Sequence, residues 1–123
     1  MKLHLASSPG QNLITGYGRG FVAINHARYE KSVIVLRERL IEDWGVSGFA
    51  QLGAAHFEFL ARLEPEIVLL GTGASLRFPH PRLSRALVDA QVGMEVMDTG
   101  AACRTFNILA AEGRQVAAAL LIE

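Results

Sequence analysis

The residues of this chain that could do chemistry fall between positions 71 and 107. Gly71-Thr72-Gly73 follows an apolar run, and glycines there would let backbone N–H groups approach an anion closely. Arg77 comes next, in a loop stiffened by Pro79 and Pro81, where a guanidinium fork could be held toward a carboxylate or phosphate. Asp98 and Thr99 are both good N-caps for a helix opening at Gly100 or Ala101. Cys103 and Arg104 then sit in its first turns, where the dipole and the cation would lower a thiol pKa and make Cys103 a weak candidate nucleophile. Glu95 lies within a second apolar run, and a buried carboxylate costs several kcal/mol unless it is paired; Arg77 and Arg104 are the obvious partners. Together, Gly71, Thr72, Gly73, Arg77, Glu95, Asp98, Thr99 and Arg104 are the candidate ligand-binding residues. Each also has a structural explanation: a glycine turn out of a crowded strand, a helix cap, an internal ion pair, an inert core thiol.

Several stronger patterns are missing. The glycine turn lacks the spacing and the Lys-Ser/Thr of a Walker loop, and Leu76 breaks a GxGxxG pattern. No histidine is placed as a base for Cys103. His4, His26 and His56 fall on different elements at no metal-ligand spacing. No catalytic residue beyond Cys103, no metal site and no cofactor is expected.

The elements that must position these residues are two apolar runs, 67–70 and 94–97. Each ends in a small-residue turn and leads toward a helical segment. As parallel neighbours they would bring both turns to one rim of the sheet, where open α/β folds place ligands. The spacing predicts helices over 83–90 and over about 101–112, the latter closed by Gly113 as a C-cap. Residues 116–122, VAAALLI, read as an apolar strand whose alanines imply close approach, or an edge strand forming a dimer seam.

Further upstream, residues 2–6 alternate as a short strand, and 13–18 with 20–25 form a hairpin at Gly20. Residues 25–28 reverse the chain, and 31–37 make an interior strand. Residues 38–44 fit either a strand or a hairpin. Trp44 fits an exposed anchor or, better, a core indole. Residues 54–63 predict an amphipathic helix with Ala55, Phe59, Leu60 and Leu63 on its apolar side and Pro65 beyond its end. Strands first, then alternating helix and strand, predict a mixed α/β (α+β) fold. Its central mixed sheet carries helices on one side and a small β layer on the other.

With 123 residues, 50% hydrophobic and 20% charged, the chain fits one domain, 1–123, burying about two-thirds of its unfolded surface. Twelve basic and twelve acidic residues cancel. Neutrality argues against a dedicated nucleic-acid module and against attraction to acidic membranes, although a local patch would escape a net count. One cysteine excludes an internal disulfide and suits a reducing compartment. The N-terminus, MKLHLASSPGQN, is too polar for a secretory signal, and no apolar run reaches membrane-span length. A cytoplasmic location is the expectation.

GTGASLRFPHP, GMEVMDTGAACRTFNIL and EGRQVAAALL closely resemble the Mth938-like family, strongly from Glu66 to Leu121 and more loosely upstream, where ITGYG fits. The family includes uncharacterised bacterial and archaeal proteins and the mitochondrial factor that helps assemble respiratory complex I. The resemblance implies a three-layer fold, no established activity and no established cofactor. Pro79, Thr105 and Asn107 join the candidates above as residues matching the family's motifs. It also implies a non-catalytic interaction or assembly module, with respiratory-complex subunits or assembly factors as protein partners. A homodimer is a further possible partner state. The alternative is a small-molecule or anion site between the two turns. Without a mitochondrial transit segment, a bacterial-type member is expected.

Overall fold

The structure, a computed structural model, describes residues 10–123; the strand expected at 2–6, and His4, lie outside them. β1 (Ile14–Gly18) and β2 (Phe21–Ile24) pair antiparallel about Arg19-Gly20. Gly20 turns there at φ +76°, a conformation glycine adopts at little cost. Asn25 and His26 then both take positive φ, +53° and +70°, which a tight hairpin with primed geometry requires. The chain therefore returns at once as β3 (Ala27–Tyr29), completing a three-stranded sheet β1-β2-β3. The expected reversal over 25–28 is thus only two residues long, and a third strand begins inside it.

β4 (Val33–Leu36) folds back on β5 (Leu40–Ile41), so residues 38–44 form a hairpin arm. Trp44 is buried at 6% exposure and belongs to the core. α1 (Ala54–Arg62) follows, burying Phe57 and Leu60 completely. The apolar side is centred on those two residues, and Ala55 faces solvent. Then come β6 (Ile67–Gly71), a 3₁₀ turn at Pro81–Ser84, α2 (Arg85–Asp89), β7 (Gly93–Met97), α3 (Thr99–Ala111) and β8 (Val116–Leu120). Asp98 caps α3, its carboxylate accepting from Ala101 N at 2.8 Å. Gly113, at φ +83°, ends it as expected.

The central sheet has the order β5-β4-β8-β6-β7. β6 is parallel to both β7 and β8, and β4 runs antiparallel to β8. The sheet is mixed, and the expected parallel adjacency of β6 and β7 holds. The helices divide between its two faces. α1 and α2 cover Ile34, Val68, Leu70, Ala117 and Ala119. α3 and the three-stranded sheet cover Val33, Val35, Leu69, Ala118 and Leu120. The expectation of helices on one side is corrected by the order of crossovers. The step from β6 through α2 to β7 goes outward, and the step from β7 through α3 to β8 goes back past β6. Crossovers of the same right hand in opposite directions must put their helices on opposite faces.

The same order decides between the two readings of β8 and moves β7 from its expected central place. β8 is interior, so its Ala117, Ala118 and Ala119 thin the sheet where both helical layers close on it, and it cannot be an edge seam. β7 is an edge strand, paired among the described residues to β6 alone.

Candidate functional site

The ends of β6, β7 and β8 coincide, with Gly71 opposite both Met97 and Leu120. Both small-residue turns therefore arrive at one rim. They are clasped to each other. Thr72 N donates to Met97 O at 2.9 Å, and Thr99 N to Gly73 O at 2.9 Å. The Thr99 hydroxyl accepts from Gly73 N at 2.8 Å and donates to Leu121 O at 2.8 Å. Leu121 N in turn donates to Gly71 O at 2.9 Å. One buried threonine thus joins the exits of β6 and β8 to the start of α3. Gly71 is needed for closeness: a Cβ there would lie 3.0 Å from Thr99 Cα and 3.2 Å from Ala102 Cβ. Thr72, fully buried, organises the next loop. Its hydroxyl donates to Ser75 O at 2.7 Å and accepts from Arg77 N at 3.1 Å.

Above this clasp lies a cleft of about 310 Å³, walled by the β1–β2 turn, Gly73, Ala74, Asp98, Thr99, Gly100 and the chain from Leu121 to Glu123. Of the sequence candidates, Gly73, Asp98 and Thr99 reach it. Gly71 and Thr72 lie beneath as scaffold. Arg77 borders it with one arm of its guanidinium committed: Nη2 donates to Thr72 O at 3.0 Å and pairs with the Glu123 carboxylate, while Nε is buried without a partner among the described residues. The same group stacks 4.8 Å over Phe49. Phe49 N donates to the other Glu123 oxygen at 2.7 Å. These contacts hold the Glu123 carboxyl below the usual range, mainly through the Phe49 amide; partial burial opposes the shift, and Arg77 adds to it.

Arg104 does not line the cleft and touches it only through Tyr17. It donates to the Tyr17 hydroxyl and lies 5.6 Å over that ring. Neither arginine meets Glu95. On the edge strand that carboxylate is exposed to water, so the expected internal pairing is unnecessary, and Glu95 takes no part in the cleft. Cys103 is 1% exposed, among Ala102, Phe106 and the strands. Burial pushes its thiol up to about 12, outweighing the opposing pull of Arg104. At neutral pH it is a protonated core side chain rather than a nucleophile.

Sequence reasoning missed three contributors. Arg19 enters the cleft from the β1–β2 turn, and Glu123 and Phe49 supply the partners of Arg77. All three come from segments far from residues 71–107, and nothing local to them signals the rim. Asn107, known only as a motif residue, straps β1 to α3. Its Oδ1 accepts from Ile14 N at 2.9 Å and its Nδ2 donates to Ile14 O at 2.8 Å. It thereby sets the wall that carries Tyr17 and Arg19.

Comparison with known proteins follows the same lines. The family described as protein of unknown function (DUF498/DUF598) matches residues 14–121. NADH dehydrogenase (ubiquinone) 1 alpha subcomplex assembly factor 3 of Bos taurus is 36% identical over 117 residues, covering 93% of this chain and 62% of that protein. The chain thus spans about three-fifths of that relative's length. A crystal structure from Bordetella parapertussis superposes with a TM-score of 0.87 at 38% identity, covering 94% of this chain and 99% of the other. A solution structure from Bordetella pertussis, described as an Mth938-like domain, gives a TM-score of 0.83 at 33% identity, covering 99% and 92%. With the family matched over residues 14–121 and both structures superposing over nearly the whole chain, the chain belongs to the DUF498/DUF598 family and has the Mth938-like fold.

Proposed function

We propose that this chain is a non-catalytic interaction module that helps to assemble a respiratory NADH:quinone oxidoreductase. The observation that carries the proposal is 36% identity, over 93% of the chain, to a protein named as an assembly factor of that complex. The rim chemistry supports it. Arg77 is turned onto Glu123, Arg104 onto Tyr17, and the Cys103 thiol is buried and protonated. These groups position backbone and walls and leave little to act on a substrate. The single buried thiol also suits action in the cytoplasm. Among the described residues no helix is long and apolar enough to cross a membrane, so the work on a membrane complex would be done from its aqueous side.

The competing reading, an anion or small-molecule site using the cleft from Gly71, Thr72 and Gly73 to Asp98 and Arg104, requires Arg77 to leave Glu123. The test of the assembly role is purification of the tagged full-length protein from its native cells, followed by quantitative mass spectrometry. Subunits or assembly factors of the NADH:quinone oxidoreductase should be enriched over an untagged control. Recovery of nothing above background would overturn the proposal.

A further inference from the structure

Of the five exposed large hydrophobic residues among the described residues, three come from one short stretch after β6: Leu76 at 51%, Phe78 at 71% and Val88 at 67%. Exposed apolar residues gathered in one region mark interaction surfaces. Their presentation is built. Thr72 ties down Ser75 and the Arg77 amide, Pro79 is buried, and the His80 ring accepts from Arg82 N at 3.1 Å. Within the loop, exposure alternates. Arg77 turns inward to Thr72 O and Glu123, so Leu76 and Phe78 on either side of it point outward together.

Charge identifies what such a surface meets. From Ile67 to Val88 the chain has no Asp or Glu, yet it carries Arg77, Arg82, Arg85 and His80; Arg77 is paired with Glu123, and the exposed Asp89 follows, four residues after Arg85. Arg82 and Arg85 are exposed, and no ion pair among the described residues involves either. Arg82, Arg85 and Val88 follow at intervals of three, which keeps them on one side of the helical segment. A chain neutral overall thus carries two exposed arginines, without ion-pair partners among the described residues, close in sequence to protruding apolar side chains. Apolar side chains that enter the acyl boundary, rimmed by cations that meet headgroups, are the signature of interfacial membrane binding.

We propose that this surface docks on an anionic lipid bilayer, with Leu76 and Phe78 inserted and Arg82 and Arg85 over the headgroups. The docking is peripheral and reversible, and it is independent of the assembly role. The test is co-sedimentation of the full chain with vesicles of phosphatidylcholine alone or mixed with phosphatidylglycerol. The chain should partition onto the mixed vesicles, more weakly as salt rises. L76S/F78S should lower that partitioning about tenfold or more. R82Q/R85Q should lower it by about fivefold for each charge removed, on the anionic vesicles only. All four side chains lie outside the two buried cores, so both variants should keep the wild-type circular dichroism and melting temperature. No partitioning above the phosphatidylcholine level would overturn the proposal, as would variants that partition like the wild type. Self-association seen by sedimentation and lost in L76S/F78S, without vesicle binding, would assign the surface to a second copy of the chain and likewise overturn it.

Discussion

Replacing Thr99 by valine should lower the unfolding free energy by about 2–5 kcal/mol, measured by urea denaturation. The expectation follows from what the hydroxyl does. It accepts from Gly73 N and donates to Leu121 O, both at 2.8 Å and both buried. Valine keeps the shape and removes both bonds, leaving a buried donor and a buried acceptor unpaired. Each such orphan costs about 1–3 kcal/mol. Melting temperature should fall by on the order of 10 °C. Serine at the same position keeps the hydroxyl and loses one methyl, so T99S should cost about 1 kcal/mol. The contrast isolates the hydrogen bonds from packing. If T99V and T99S are equally stable, Thr99 is an ordinary helix-start residue, and the clasp between the two turns is not what holds the rim.

The second large effect is expected at Asn107. N107A should cost about 2–4 kcal/mol, because Ile14 loses a partner for both its N–H and its C=O at once. Ile14 is buried, at 5% exposure, so water cannot easily replace the amide. The gain in helix propensity from Asn to Ala, roughly 0.5 kcal/mol, offsets only part of this. The loss should be local in its consequences. Hydrogen exchange should show β1, β2 and β3 deprotected first, with β4, β6 and β8 still protected. N107D keeps an acceptor for Ile14 N but turns an oxygen toward Ile14 O, so it should not rescue. Uniform deprotection of both sheets in N107A, or a cost under about 0.5 kcal/mol, would mean that the small sheet is held by apolar packing instead.

Much of this architecture was legible in the residues, and the reasons are local. The run Ile67–Gly71 is apolar throughout, as a strand buried on both faces must be. Asp98 before a helical stretch and Gly113 after it bracket α3 nearly to the residue. The β1–β2 hairpin announced itself through Gly20. What could not be read depends on strand order, which no local pattern encodes. Met94-Glu95-Val96-Met97 looks like an interior strand with a stranded carboxylate; at the sheet edge Glu95 simply meets water. VAAALLI looks thin enough for an edge; between β4 and β6 its alanines make room for two helical layers. The first reading is overturned, and the second is decided in favour of close approach, once β8 is known to insert between β4 and β6.

The site divided in the same way. Adjacent parallel strands put the two turns on one rim, and that much followed from the sequence. The partners of Arg77 and Arg104 did not. Glu123 and Tyr17 lie 46 and 87 residues away along the chain, and their approach is set by the end of β8 and by the Asn107 strap. Cys103 misled because the helix dipole and Arg104 are visible in sequence, whereas the desolvation that outweighs them is visible only in the packed core.

The most direct test of the claim that this rim is a closed clasp rather than an open anion site is a titration of the ¹⁵N-labelled chain with inorganic phosphate. The amides of Phe49, Gly73, Thr99 and Gly100 should stay in place through the millimolar range, because the first three already donate to Glu123, Thr99 and Gly73 in turn. Saturable shifts of those same amides would contradict the account and restore the cleft as a binding site.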